Sequence, residues 1–249
     1  MSLMPPHLHF VEPYAGGLAV LLAKSPEGVS EVVNDLRGDL TNFWKVLQRE
    51  ETFERFRRRV EATPFSEAEW QRAMENNRHG YGGDEVDLAF DFFILCRQSL
   101  AGRMESFAPL SKTRTRRGMN EQASAWLNAV DGLSAVHARM KRVVILNRDA
   151  LDVIREQDGP DTLTYADPPY VAETRSSREV YEFEMSRDDH VNLLDAVRGC
   201  RGKMMLSGYR SDLYDDALKG WKRHEFSVAN SAAGGKVKRV MTECLYCNF

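Results

Sequence analysis

Asp167-Pro168-Pro169-Tyr170 stands where an apolar run, Thr162 to Ala166, gives out. An acid, two prolines and an aromatic ring at a strand end suit a narrow task, gripping a flat ring that bears an amino group. Asp167 can accept a hydrogen bond from an exocyclic NH2. The prolines lack N–H groups and stiffen the backbone, which leaves carbonyls free to accept a second bond. Tyr170 offers a flat face for stacking. At average composition, such a tetrapeptide arises by chance in roughly one chain in a thousand of this length.

Three other strand ends carry polar chemistry. Leu8 to Val11 reads as a short strand, broken by Glu12-Pro13-Tyr14-Ala15-Gly16-Gly17. A helix from Leu18 to Lys24 and a second strand, Glu31 to Asp35, follow. Glycines in such a first turn let the backbone approach a ligand closely. The GxGxxG spacing of dinucleotide sites is absent. Asp35 can bond ribose hydroxyls or hold its own turn. A third strand, Val143 to Leu146, runs into Asn147-Arg148-Asp149. Asp149 can take an adenine amino group or cap the helix that begins at Ala150. In a parallel sheet these ends lie side by side at the ligand crevice. One part of that crevice suits a nucleoside without a pyrophosphate, and the next suits the amino-bearing ring.

The elements that must position these residues form an α/β pattern. A further strand is expected at Met204 to Ser207, with a Ser186-capped helix before it carrying Val191, Leu194 and Val197. Two closing runs, Glu225 to Ala229 and Val237 to Tyr246, joined by Ser231 to Gly235, read as a hairpin. The expected fold is a Rossmann-like sheet, mostly parallel, with a C-terminal antiparallel hairpin. Residues 4–48 and 141–249 would make the sheet domain, and residues 49–140 a helical insertion. Leu40, Phe43, Trp44 and Leu47 keep helical spacing, and Phe53, Phe56 and Val60 extend it. Ser66 with Glu69 has the form of a capping box. Glycines 80, 82 and 83 mark a break, Val86 to Leu100 reads as a helix, and Ser111 to Asn120 reads as a polar loop. Helices return at Ala123 to Val130 and Ala135 to Met140. Met1-Ser2-Leu3 reads as an added leader.

Composition narrows the class. The chain has 249 residues and a formal net charge of −3, so it is no bulk electrostatic nucleic-acid binder. Any such contact must be local. Lys112, Arg114, Arg116 and Arg117, interleaved with Thr113 and Thr115, supply one local basic run. It reads either as a solvated loop or as a phosphate contact. Trp44, Trp70, Trp126 and Phe90-Phe92-Phe93 read as core. Cys96, Cys200, Cys244 and Cys247 form no disulfide framework, and Cys244-x-x-Cys247 lacks a second ligand pair. The scattered histidines suggest no metal site. No apolar run is long enough for a bilayer and no secretory signal is visible, so a cytoplasmic protein without membrane contact is expected.

Glu12 to Gly17, Asn34-Asp35 and Asp167 to Tyr170, in this order, resemble the adenine-N6 DNA methyltransferases of the Dam/D12 class. Met205-Leu206-Ser207-Gly208-Tyr209 with Leu213-Tyr214 resembles that family's strand after the catalytic motif. The resemblance covers nearly the whole chain and is most specific at 167–170. It implies S-adenosylmethionine as methyl donor, double-stranded DNA as partner, and the insertion as target-recognition region. It casts Asp167, Pro168, Pro169 and Tyr170 as catalytic. Glu12, Pro13, Tyr14, Ala15, Gly16, Gly17, Asp35, Asp149 and Asp167 fall to the cofactor, and Lys112, Arg114, Arg116 and Arg117 to DNA. In one respect the chain departs from the family. Seven residues precede Leu8, and none match the Gly-rich turn and lysine that close the family's cofactor pocket. The departure raises two alternatives, an impaired DNA- or cofactor-binding homologue, or a start further upstream. The same scaffold also serves other amino acceptors.

Overall fold

The computed structural model describes residues 2–80, 83–171, 184–229 and 240–249. In chain order its elements are β1 (His9–Glu12), α1 (Ala19–Ala23), β2 (Ser30–Asn34), α2 (Gly38–Gln48), α3 (Glu50–Glu61), α4 (Glu67–His79), α5 (Glu85–Gln98), β3 (Thr115–Arg116), β4 (Met119–Asn120), α6 (Glu121–Asp131) and α7 (Leu133–Met140). They continue with β5 (Val143–Leu146), α8 (Ala150–Glu156), β6 (Thr162–Ala166), α9 (Arg187–Arg198), β7 (Lys203–Tyr209), α10 (Asp212–Ala217), β8 (Lys222–Ala229) and β9 (Val240–Cys247). The chain divides into two compact units, Met1–Arg37 with Val143–Phe249, and Gly38–Arg142.

The first unit is built on a seven-stranded sheet in the order β5-β2-β1-β6-β7-β9-β8. The first five strands pair in parallel, and β9 and β8 run antiparallel. Short apolar runs dictate the parallel strands: Phe10 and Val11 in β1, Val32 and Val33 in β2, and Leu163 and Ala166 in β6 are all buried. Ile154 of α8, Leu193, Leu194 and Val197 of α9 and Tyr214 of α10 share one core with Ala166, Met204, Leu206 and Tyr246 of the sheet. Helix α9 starts where Ser186 and Asp189 form a reciprocal capping box, as expected. The closing strands form the expected antiparallel pair, with the second of them, β9, lying inside the sheet between β7 and β8. The expected turn at 231–235 lies outside the described residues.

The second unit is helical. Phe43 of α2, Phe56 of α3 and Phe93 of α5 meet as rings 5.6–5.9 Å apart, and Trp126 of α6 packs on Phe93 at 5.4 Å. Phe43, Trp44, Val46 and Leu47 are buried. Helix α2, expected on the sheet side of the seam, therefore groups with the helices. The tryptophans are core residues: Trp126 donates to the Thr63 carbonyl at 2.8 Å and Trp70 to Ser99 at 2.7 Å. Two local expectations change. Ser66 stands at the N-cap of α4 without a side-chain cap, its N–H donates to Gln98 at 2.9 Å, and Glu69 pairs with Arg72, so no capping box forms. The stretch expected as a loop at 111–120 contains a small hairpin. Thr115 pairs with Asn120 and Arg116 with Met119 around Arg117 and Gly118, both at positive φ.

Gly202, just before β7, shows how tightly the sheet unit closes at its lower edge. Asp158 accepts from the Arg201 and Gly202 N–H groups at 2.9–3.1 Å. A Cβ on Gly202 would stand 2.6 Å from the Gly159 carbonyl and 3.0 Å from that of Thr162. Gly202→Ala should therefore destabilise the protein by about 1–3 kcal/mol, measurable by urea unfolding.

Candidate active site

The strand ends of β5, β2, β1 and β6 are consecutive neighbours in the sheet. The polar residues expected to share a crevice thus sit on adjoining ends. What fixes three of these ends is Asn34, which is fully buried. Its amide donates to the Pro13 carbonyl and to the Arg148 carbonyl, each at 3.0 Å, and its oxygen accepts from the Arg148 N–H at 2.9 Å. One side chain therefore ties the turns after β1, β2 and β5. Asn147 reinforces this by donating to the Asp35 and Leu36 carbonyls at 2.7 and 3.0 Å.

The first turn folds around this clamp. Ala15 donates to the Asn34 carbonyl at 2.8 Å, and Gly16 donates to the Asp35 carboxylate at 2.9 Å. Gly16 has φ +46°, and a Cβ on Gly16 or Gly17 would meet nothing within 4 Å. The backbone there borders open space into which a ligand can come close. Leu18 holds φ 53° while its side chain is buried, a conformation that bulky residues seldom take. Asp35 is partly committed, with its other oxygen accepting from Arg37 N–H at 3.0 Å. Asp149 caps α8 through Oδ1, accepting from Leu151 and Asp152. The helix-cap alternative thus describes one of its oxygens.

Glu12 is the unusual group in this half. It is 2 % exposed, and its Oε1 has no hydrogen-bond partner among the described residues. Burial pushes its carboxyl up to about 8, with the nearby Asp167 and Glu31 charges adding to the rise. A buried acid with an orphaned oxygen is matched by a cationic, hydrogen-bond-donating ligand. Behind it, Lys24 and Glu31 form a buried ion pair at 2.7 Å.

The other half gathers around Asp167. Its surface is open to solvent, yet protein crowds the carboxyl closely enough that desolvation holds it above the ordinary aspartate range. That combination belongs to the floor of a concavity. Ser207 donates to Asp167 Oδ1, and the Tyr170 hydroxyl also bonds the carboxyl; both pull the pKa back down. Pro168 is buried, and its carbonyl takes part in no hydrogen bond among the described residues. Tyr170 meets Tyr209 edge to face at 4.7 Å. Glu243 of β9, opposite Tyr209, is raised by desolvation and then by the Asp167 charge. Ser207, Tyr209 and Glu243 were given no role from the sequence. Asn34 and Asn147, named in the sequence beside Asp35 and Asp149, were given no role of their own either; an asparagine on a buried strand end was the available signal for the first.

In the helical unit, Lys112, Arg114, Arg116 and Arg117 are all exposed on or beside the β3–β4 hairpin. Arg114 lies 3.7 Å from Glu121 and Arg117 lies 3.6 Å from Asp131. Lys112 and Arg116 have no acidic partner among the described residues.

A sequence model of the D12 class N6 adenine-specific DNA methyltransferases matches residues 2–231. The chain belongs to that family. No curated protein matches it in sequence. Among solved structures, the D12-class chain is similar to a SAM-dependent methyltransferase from Agrobacterium tumefaciens, at 12 % identity and a TM-score of 0.37. That match covers 99 % of this chain and 56 % of the other, so the chain spans little more than half the length of that relative. Among the described residues, no helix is long and apolar enough to cross a membrane, and no group of three or more acidic, histidine or cysteine side chains could hold a metal ion.

The D12-class site also sets a pH dependence. The folded protein holds the Glu12 proton more tightly than the unfolded chain does. Stability from this group is complete below pH 4.5 and is lost as pH rises through about 8. Glu12→Gln should remove that slope, worth on the order of 4 kcal/mol across the interval, in ligand-free urea unfolding from pH 5 to 9.

Proposed function

We propose that this chain transfers a methyl group from S-adenosylmethionine to the N6 amino group of adenine in double-stranded DNA. The observation that carries the reading is the meeting of two halves on neighbouring strand ends. One is an open glycine turn with a buried acid, one of whose oxygens has no hydrogen-bond partner among the described residues. The other is an aspartate beside a proline carbonyl that takes part in no hydrogen bond among the described residues. When bound, S-adenosylmethionine supplies an electrophilic methyl on a sulfonium.

The residues present fit that donor. Glu12 can hold its ammonium group, the 13–17 backbone can lie against it, and Asp35 and Asp149 each keep acceptor capacity for hydroxyl or amino groups. The absence of a diphosphate-binding glycine pattern agrees with a nucleoside lacking phosphates.

On the acceptor side, the adenine nitrogen is a poor nucleophile because its lone pair is delocalised into the ring. Asp167 and the Pro168 carbonyl can accept its two N–H bonds. This favours pyramidal nitrogen and stabilises the positive charge that grows as the nitrogen takes the methyl. Asp167 need not remove a proton first. Tyr170 supplies a face for the base. A base stacked in duplex DNA cannot reach a concave floor, so the target adenine is turned out of the helix. Holding nitrogen, methyl carbon and sulfur in line supplies much of the remaining acceleration.

The exposed hairpin of the helical unit is proposed as part of the DNA contact, and the unit as the target-recognition region. Lys112 and Arg116 have charge to spare for phosphates, whereas Arg114 and Arg117 are shared with acids.

Two experiments test this. Tritiated methyl transfer to unmethylated duplex DNA, followed by nucleoside analysis, should give N6-methyladenine, and Asp167→Ala should slow it by roughly a thousandfold. Label on cytosine, on RNA or on nothing would overturn the assignment. Separately, replacing Lys112 and Arg116 by alanine should weaken DNA binding. It should also flatten the slope of log affinity against log salt by about 2, while leaving S-adenosylmethionine affinity as it was.

A further inference from the structure

Ser207 lies on β7 beside the end of β6. The register pairs Ala166 with Leu206, so the next rung sets Asp167 beside Ser207. Ser207 is 7 % exposed, which leaves its hydroxyl little water to bond. It has one proton and two lone pairs. Three oxygens surround it: the Asp167 carboxylate, to which it donates, and the hydroxyls of Tyr165 and Tyr170, which are both within bonding reach.

The proton balance of this cluster has a direction. Burial and the Asp167 charge hold both tyrosines well above their ordinary range, so they keep their protons and act as donors. Tyr170 gives its one proton to the Asp167 carboxylate, which leaves the Ser207 lone pairs to accept from Tyr165. Its own proton is left facing the strongest acceptor nearby, Asp167 Oδ1. Tyr165, fixed on β6, thereby sets the rotamer of the Ser207 hydroxyl. Ser207 occupies Oδ1, and the lone pairs that Ser207 and Tyr170 leave unused remain for an incoming N–H.

We propose that Ser207, oriented by Tyr165, is a positioning residue that fixes the Asp167 carboxylate for the acceptor amino group. This rests on the methyltransferase reading for what the carboxylate does, but not for the hydrogen bond itself. Other ionisable groups also face Asp167: Glu12 from β1, Glu243 from β9, and Tyr165 and Tyr170 from β6 and the turn after it. Burial raises the carboxyl, whereas Ser207 and Tyr170 lower it. Loss of Ser207 should therefore move the carboxyl in one direction, upward.

The test compares wild type with Ser207→Ala, Ser207→Thr and Tyr165→Phe, each checked for folding by thermal melting. In single-turnover methyl transfer, Ser207→Ala should lose roughly 10- to 100-fold in rate. KM for DNA and for S-adenosylmethionine should stay near wild type. The acid limb of its pH–rate profile should shift to higher pH. Ser207→Thr, which keeps the hydroxyl, should restore rate and limb together, and Tyr165→Phe should move both in the alanine direction. The carboxyl 13C titration of Asp167 reads the same contact without turnover, and should rise in Ser207→Ala but not in Ser207→Thr. An unchanged titration in folded Ser207→Ala, or a threonine variant as impaired as alanine, would overturn the inference. A wild type that makes no N6-methyladenine speaks against the methyltransferase reading instead, and the titration still decides the role of Ser207.

Discussion

The site depends on one buried side chain. Asn34 has no water to turn to, so its amide must find partners inside the protein or be left unsatisfied at a cost of about 1–3 kcal/mol for each missing bond. It finds them in the Pro13 and Arg148 backbones. Those contacts close the turns after three strands onto one another. The open glycine turn and the Asp149 cap are then geometrically linked, though they lie far apart in sequence. A parallel sheet brings strand ends together, but their loops still need a shared anchor to hold one shape. Asparagine suits that position because it donates twice and accepts once without carrying charge. Aspartate there would face two carbonyls with lone pairs on both sides.

The second half of the site is organised by charge rather than by saturation. Asp167, at the end of β6, acts on Glu12 of β1 on one side and on Glu243 of β9 on the other. The Asp167 charge raises both glutamates, and the cation that acts on Glu12 among the described residues, Lys24, is already paired with Glu31. Such a cluster is costly in the ligand-free protein. It becomes favourable when a cation enters, and the sulfonium and ammonium of the proposed donor are both cations. The strain of the empty arrangement and its selectivity for a positively charged ligand have the same origin.

Local chemistry was readable from the chain and long-range hydrogen bonding was not. Asp167 to Tyr170 and Glu12 to Gly17 were legible because short-range constraints, proline rigidity and glycine freedom, mark them out. The strands were legible because their apolar runs are short and bounded by turn residues, and Ser186 announced its helix through Asp189. Ser66 had the same signature and failed, since its N–H is taken by Gln98 and Glu69 by Arg72. The Arg117–Gly118 hairpin was missed because its strands are too short to show alternation. Asn34, Ser207 and Glu243 take their meaning from partners supplied by other strands. Asp149 lay between these cases, since its cap takes one oxygen and leaves the other uncommitted to the cap.

The place of β9 in the sheet carries a consequence for how the protein comes into being. Synthesis runs from the N-terminus, and β7 and β8 emerge from the ribosome before β9 does. Until residues 240–247 are made, β7 has no neighbour on that side and β8 has nothing to pair with. A nascent chain would thus hold the bare edge of β7, a surface open to wrong pairing, from the making of β7 until that of β9, the last part of its translation. Insertion of the last strand between two waiting ones covers that edge and delivers Glu243 beside Asp167 in the same event. Completion of the sheet and completion of the acidic floor are therefore one step, and it comes late.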